Sequence, residues 1–355
     1  MYVLNRTAED NREEFKDVAD LVTSSFYVDN YLDSVNSEEE AVNRCKALST
    51  LLSRGGFCLT KWLSSNRSVL ASVASDERMV PTLDLDLDDL PVKKTLGVHW
   101  DCENDEIIFK VRPSKEVVTK RDILSEVAIL FDPLGLLATV IIRAKILLQS
   151  IWRQGFEWTE TLPDDILGDW REWTSDLTGL ELLKLPRCLG DGVTNPTSRT
   201  LHVFCDASEH GFGAAVYLRT SNDCESEVHL VAAKTRVAPM KFLTIPRLEL
   251  QGAVVAVRLA DSVCKELSLP LPAVVFWTDS TTVLQWIHSR RYRFQTFVAN
   301  RVSEILESTR CDQWRHVQGS LNPADDCSRG LPVAGLSSQH QWFTGPEFLR
   351  ASETD

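Results

Sequence analysis

The chain lacks every mark of a secreted, membrane-spanning or thiolate-metal protein. None of its apolar runs approaches the length of a bilayer span, and the N-terminus has no signal-peptide pattern. An intracellular location, cytoplasmic or nuclear, is therefore expected. The nine cysteines form no C-x-x-C pair, and Cys205 and Cys264 sit in apolar segments, which argues for reduced thiols over disulfides or zinc. No internal repeat stands out. Cationic excess is also missing: the net charge is −13, whereas a dedicated duplex binder carries a basic face to neutralise phosphates. The acidic stretch over residues 84–89 reads as an exposed linker. What is present is a long chain, 355 residues at 43% hydrophobic content, enough for two or three domains with a substantial core.

Four acids stand at abrupt changes of local pattern: Asp206 in FCDAS, Glu249 in RLELQG, Asp279 in FWTDS and Asp325 in NPADD. Leu201 to Cys205 is short, apolar and β-prone, so it reads as a buried strand with Asp206 at its end. Gly211 and Gly213 open a second strand through Leu218, and Val228 to Ala233 makes a third, the pattern of an antiparallel meander. Pro246 starts a helix running to about Leu267, which places Glu249 near a helix N-terminus. Ala273 to Trp277 is again a buried strand, Asp279 lies just past it, and Ser280 is placed to cap the next helix. A helix over about Gln295 to Ser308, a strand over Gln313 to Val317 and a last helix from Asn322-Pro323 bearing Asp325 complete the pattern. Taken singly, each acid is equally a cap or a dipole partner. Taken in order they read as one site for hard divalent cations, which prefer carboxylate oxygens.

The series FCDAS, IPRLELQGAV, FWTDSTTVLQW, HVQGSLNPADDCSRG resembles the ribonuclease H domain of retroelement polyproteins, and is most similar to the BEL/Pao class of long-terminal-repeat retrotransposons. The resemblance covers about residues 199 to 330. It implies an α/β fold of RNase H type, a mixed five-stranded sheet flanked by helices, and endonucleolytic cleavage of the RNA strand of an RNA–DNA hybrid. It further implies that Asp206, Glu249, Asp279 and Asp325 are the metal-binding acids for two Mg²⁺ ions, with Mn²⁺ as the alternative, and that Asp326 is a bystander. A histidine that relatives place shortly before the fourth acid is absent here. Gly319 is followed by Ser320, and His316 lies three residues earlier.

The N-terminal third resembles other parts of such polyproteins. Ser25 to Asp33 reads as a β-hairpin with an acid at its tip and resembles the YVDD hairpin of reverse-transcriptase palm domains. Asn30 stands in place of the second aspartate beside Asp29, and a neutral oxygen weakens metal affinity. With so little chain before the hairpin, polymerase activity is not expected. A helix from Ser37 to about Ser53, stopped at Gly55-Gly56, and a strand over Phe57 to Trp62 are expected next. Leu96 to Trp100 resembles the LG-x-x-W segment that follows the palm, and Thr119 to Ala138 resembles a BEL/Pao signature of the thumb and connection region, read here as helix packing. The resulting organisation is a partial palm over 1–110, a thumb/connection-like helical region over 111–198, the RNase H-like domain over 199–330 and a tail over 331–355 similar to the linker that precedes integrase. Trp152, Trp158, Trp170 and Trp173 read as structural. The cluster Arg290, Arg291, Arg293, with Ser280, is the candidate contact surface for the hybrid, in a segment otherwise nearly balanced in charge. The expected partners are the hybrid and other parts of the polyprotein, with no membrane. The competing expectation is a catalytically silent remnant or a co-opted nucleic-acid or protein binding module.

Overall fold

The computed structural model describes residues 1–112, 116–190, 192–194, 196–267, 273–289 and 293–351. It divides into two units, Met1–Lys93 with Trp100–Glu106, and Lys94–His99 with Ile107–Asp355. No helix among the described residues is long and apolar enough to cross a membrane.

In the first unit, helices α1 (Tyr2–Asp10), α2 (Lys16–Ser24) and α3 (Glu38–Ser53) bury Val22, Leu48, Leu51 and Leu52 in one cluster. Ser37 caps α3 by accepting from the Glu40 amide, and Glu38, Glu39 and Glu40 face the positive end of the helix dipole. Between α2 and α3 the expected hairpin forms: β1 (Phe26–Tyr27) pairs with β2 (Asn30–Tyr31). Val28 holds φ 57° in its two-residue turn, a conformation that a β-branched side chain rarely takes. The strand expected over Phe57 to Trp62 does not form. Only Trp62 bridges, to Arg78, because the segment finds no neighbouring strand to complete its ladder. The acidic stretch 84–89 is mostly exposed, as expected, but it is tethered. After α4 (Arg67–Ala71), the Arg67 guanidinium donates to the Leu85 and Asp88 carbonyls at 2.6 and 2.9 Å. Three short strands, β3 (Val92–Thr95), β4 (Val98–Asp101) and β5 (Glu106–Ile108), each have residues in both units.

The second unit opens with α5 (Lys120–Ile129), α6 (Ala138–Gln154) and α7 (Asp164–Asp176), then β6 (Lys184–Pro186). A Thr119/Asp122 capping box starts α5. The Asp132 carboxylate accepts from the amides of Leu136 and Leu137 at 2.9 and 2.7 Å, which shapes the turn into α6. The rest of the unit is built on strands β7 (Ser198–Ala207), β8 (Gly211–Ser221) and β9 (Ser226–Val237), helix α8 (Ile245–Glu266), β10 (Val274–Thr278), α9 (Thr281–His288), α10 (Thr296–Ser308), β11 (Trp314–His316), α11 (Asp325–Arg329) and α12 (Gln341–Thr344). The sheet order is β11-β10-β7-β8-β9, with β7–β8 and β8–β9 antiparallel and β10 parallel to both β7 and β11. It is the mixed five-stranded sheet expected for an RNase H-like fold.

Strand alternation sends residues of this sheet into two separate cores. Leu201, Val203, Cys205, Ala214 and Val216 pack under α8 and α10, where α8 buries Ala253, Val254, Ala256 and Val257. Phe204, Ala215 and Tyr217 face the other way, toward α6, α7 and the C-terminal segment, where Trp342 is completely buried. Residues 331–350 are thus packed structure. The Tyr217 hydroxyl donates to the Trp342 carbonyl at 2.9 Å, Arg219 Nε donates to the Leu349 carbonyl at 2.7 Å, and Phe348 stacks edgewise on Phe204 and Trp277.

Candidate metal centre

Each of the four acids comes from a different element, and the two parallel strands set the frame. β7 and β10 run side by side with Cys205 opposite Thr278, so Asp206 and Asp279 leave adjacent strands at the same level. In sheets of this kind the strand carboxyl ends form the functional edge. Helix α8 approaches this edge at Gly252, where a Cβ would come within 2.9 Å of the Asp206 carbonyl, so only glycine permits the contact. Glu249, one turn earlier, is thereby carried to the same edge. Asn322 supplies the fourth connection. Its side-chain amide donates to the Cys205 carbonyl at 3.1 Å while its oxygen accepts from the Ala324 amide, locking the segment that delivers Asp325.

The acids feel one another. Burial, reinforced by the Asp279 and Asp325 charges, pushes Asp206 up to about 6 even though Ser328 donates to it. Burial also raises Glu249, with a contribution from Asp206, and raises Asp279, with contributions from Glu249 and Asp325. Three of the four have one oxygen committed to a protein donor. Ser328 Oγ donates to Asp206 Oδ2 at 2.6 Å, Ser280 Oγ to Glu249 Oε2 at 2.5 Å, and Arg329 Nε to Asp325 Oδ1 at 2.5 Å. Asp279 Oδ1 is buried with no hydrogen-bond partner.

That orphaned oxygen, with three further hard oxygen donors around it, is the donor chemistry a divalent cation of the Mg²⁺ type takes. As the side chains stand, no three His, Cys, Asp or Glu groups among the described residues form a ready metal-holding set.

The other candidate residues are distributed as follows. Ser280 is buried, and besides meeting Glu249 its hydroxyl accepts from the Val283 amide, capping α9. Arg293 is exposed, whereas Arg290 and Arg291 lie outside the described residues. Asp29 and Asn30 are exposed in the other unit, where Asn30 Nδ2 donates to Asp29 Oδ1 at 3.1 Å. His316 is exposed at the end of β11. Asp326 departs from an ordinary surface acid: burial and the adjacent Asp325 push it up to about 6, and its Oδ2 is buried without a partner. The contacts of residues 341–350 given above lie on the Tyr217 and Trp277 side of the sheet rather than at the acids.

Sequence reasoning missed Ser328 and Asn322. Both lie in the NPADDCSR run beside an acid already singled out, which is the signal that was available: small polar residues next to a buried carboxylate supply its hydrogen bonds.

A family comparison agrees with the RNase H-like architecture. Residues 119–280 match the family described as Pao retrotransposon-like RNaseH-like domain. Among solved structures, the N-terminal RNase H domain of Rv2228c from Mycobacterium tuberculosis, determined as a fusion with maltose binding protein, is 14% identical, with a TM-score of 0.28 over 37% of this chain and 91% of that one. A foamy viral protease-reverse transcriptase in complex with dsDNA is 14% identical, with a TM-score of 0.24. The match spans 89% of this chain and 59% of the viral one. No curated protein matches the chain.

Proposed function

We propose that the second unit is a metal-dependent endonuclease that hydrolyses the RNA strand of RNA–DNA hybrids. The observation that carries this reading is the convergence of Asp206, Glu249, Asp279 and Asp325 from four elements at one sheet edge, with Asp206 raised to about 6 and one oxygen of Asp279 left unpartnered. Acids that repel one another this way in isolation are held together by the cations they bind. Bound Mg²⁺ or Mn²⁺, in a pair, would supply an activated water and stabilise the departing 3′ oxygen.

The protein's own part is positioning. Asp206, the most buried of the four, is oriented by Ser328, and Glu249 is oriented by Ser280. Asn322 fixes the Asp325 segment against the end of β7. Arg329, close enough to feel Asp206 and Asp279 as well as Asp325, pairs with the fourth carboxylate until a cation takes its place. That same Arg329–Asp325 pair favours the second reading, a silent remnant in which the arginine is a permanent substitute for the ion.

The test is cleavage of an end-labelled RNA–DNA hybrid with Mg²⁺ or Mn²⁺, beside Asp206→Asn and single-stranded and duplex RNA controls. Hybrid-specific cutting lost in the variant supports the nuclease. A folded protein that cuts nothing with either metal supports the remnant.

A further inference from the structure

Helix α11, which carries Asp325, Ser328 and Arg329, is five residues long, too short to hold its own position. Other elements seat it. Asn322 fixes its entry, and within it Thr235 Oγ1 donates to the Cys327 carbonyl at 2.6 Å and Ser208 Oγ to the Ser328 carbonyl at 2.8 Å. Its exit runs against α6. Gly330 holds φ 87°, and a Cβ there would lie 2.6 Å from Arg143 Cγ and 3.0 Å from the Thr139 carbonyl, so the position excludes a side chain. The Leu331 amide then donates to that same Thr139 carbonyl at 3.0 Å.

What steadies this exit is Asp176, the last residue of α7. A carboxylate there faces the negative end of the helix dipole, an unfavourable place unless donors compensate. Three donors do so. Arg143 Nη1 donates to Oδ2 at 2.6 Å, the Val333 amide to the same oxygen at 2.8 Å and the Ala334 amide to Oδ1 at 3.3 Å. The carboxylate thus caps the 3₁₀ turn Val333–Gly335 from another element, while it holds the arginine packed beneath Gly330. Residues 330–334 are pinned from two sides by one largely buried group through charge-assisted hydrogen bonds.

We propose that Asp176 is a positioning residue for the metal centre, acting through Arg143 and the Val333 and Ala334 amides to set the exit of α11 and with it the seats of Asp325 and Ser328. The inference rests on the nuclease reading for what those seats are used for, and on the clamp for what holds them. Because Ser328 donates to Asp206, a displaced α11 reaches two of the four acids at once. A loosened α11 has to be put back in place by the ion that binds, so apparent affinity falls by the fraction of molecules with α11 seated. Once the ion is bound at saturation the geometry is restored. The effect therefore lies in the metal concentration required and not in the saturated rate.

The experiment compares the full chain with its Asp176→Asn variant by calorimetric Mg²⁺ titration, by the Mg²⁺ dependence of hybrid cleavage, and by hydrogen exchange without metal. Asp176→Asn should raise the Mg²⁺ dissociation constant and the half-maximal Mg²⁺ concentration together by about tenfold, with the rate at saturating Mg²⁺ within about twofold of wild type. Exchange of the Gly330 and Leu331 amides, bonded to the Asp326 and Thr139 carbonyls, should quicken about tenfold while β7 keeps its protection. Arg143→Ala should reproduce these shifts, and it carries the comparison if Asp176→Asn does not fold. Arg143→Lys, which keeps a cation and the Cγ methylene, should largely reverse them. Val302→Ala, in the core under α8 and α10, should lower thermal stability without moving the Mg²⁺ midpoint, which separates positioning from general destabilisation. Mg²⁺ binding without cleavage in wild type would sink the nuclease and leave the clamp to be decided by the calorimetric shift. An unchanged Mg²⁺ midpoint in the folded variant, a loss confined to the saturated rate, an equal shift in Val302→Ala, or a wild type that binds no Mg²⁺ would each overturn the proposal.

Discussion

Replacing Asp206 by asparagine should stabilise the metal-free protein at neutral and alkaline pH, and by an amount that depends on pH in a defined direction. The side chain is 6% exposed and its carboxyl is pushed from 3.8 up to about 6 by burial and by Asp279 and Asp325. A carboxyl raised in the folded state binds its proton more tightly there than in the unfolded chain. It therefore destabilises the fold once ionised: stability falls as pH climbs from about 4 to about 6, then stays low. The difference corresponds to about 3 kcal/mol above pH 7. Asparagine keeps an oxygen to accept from Ser328 and carries no charge, so Asp206→Asn should gain up to about that amount at pH 8 and almost nothing at pH 4. Urea unfolding of the second unit, followed by near-UV circular dichroism at both pH values, measures it. A gain that is the same at pH 4 and pH 8, or a net loss at pH 8, would refute the reasoning that the four carboxylates share one desolvated edge. In wild type, Mg²⁺ should remove the alkaline penalty, and in the variant it should not.

Ser328→Ala deletes a fully buried hydroxyl that donates to Asp206, and should weaken Mg²⁺ binding measured by calorimetry by about tenfold while leaving unfolding cooperative. Gly135→Ala should cost at least 2 kcal/mol, roughly, because φ is 76° and the added Cβ would lie 1.8 Å from the Ala233 carbonyl, whose amide pairs with the Leu134 carbonyl; thermal unfolding reads this. Trp342→Ala empties a completely buried site whose indole N–H donates to the Leu136 carbonyl, and should cost about 3 to 5 kcal/mol and expose residues 331–351 to limited proteolysis. Unchanged protease resistance would mean that the C-terminal segment is held by other contacts, such as Arg219 to Leu349.

The elements around the acids were legible because their residues carry both local and periodic signals. Apolar runs ending in Asp206 and Asp279 became β7 and β10, Pro246 opened α8, and Ser280 caps α9. The hairpin expected over Ser25 to Asp33 also formed, although its turn is Val28 and Asp29, and Asn30 opens β2. Where a segment depends on a distant partner the local signal misled. Residues 57–62 have strand composition, but with one bridge to Arg78 they remain irregular. The expected helix from Asn322 became a capped turn with α11 beginning at Asp325, because Asn322 spends its side chain on Cys205 and Ala324.

By itself the sequence determined the order of strands and helices, the four acids and their positions at element ends, since burial periodicity and capping are local properties of consecutive residues. Only tertiary structure decided what those acids experience. Parallel pairing of β7 with β10 and the approach of α8 at Gly252 bring charges distant in sequence into one desolvated volume, where Asp206 is raised, Asp279 is left an unpartnered oxygen, and Ser328 and Arg329 choose which oxygens stay free. Electrostatic energies depend on distance and on exclusion of water, and neither is a property of a residue's place in the chain.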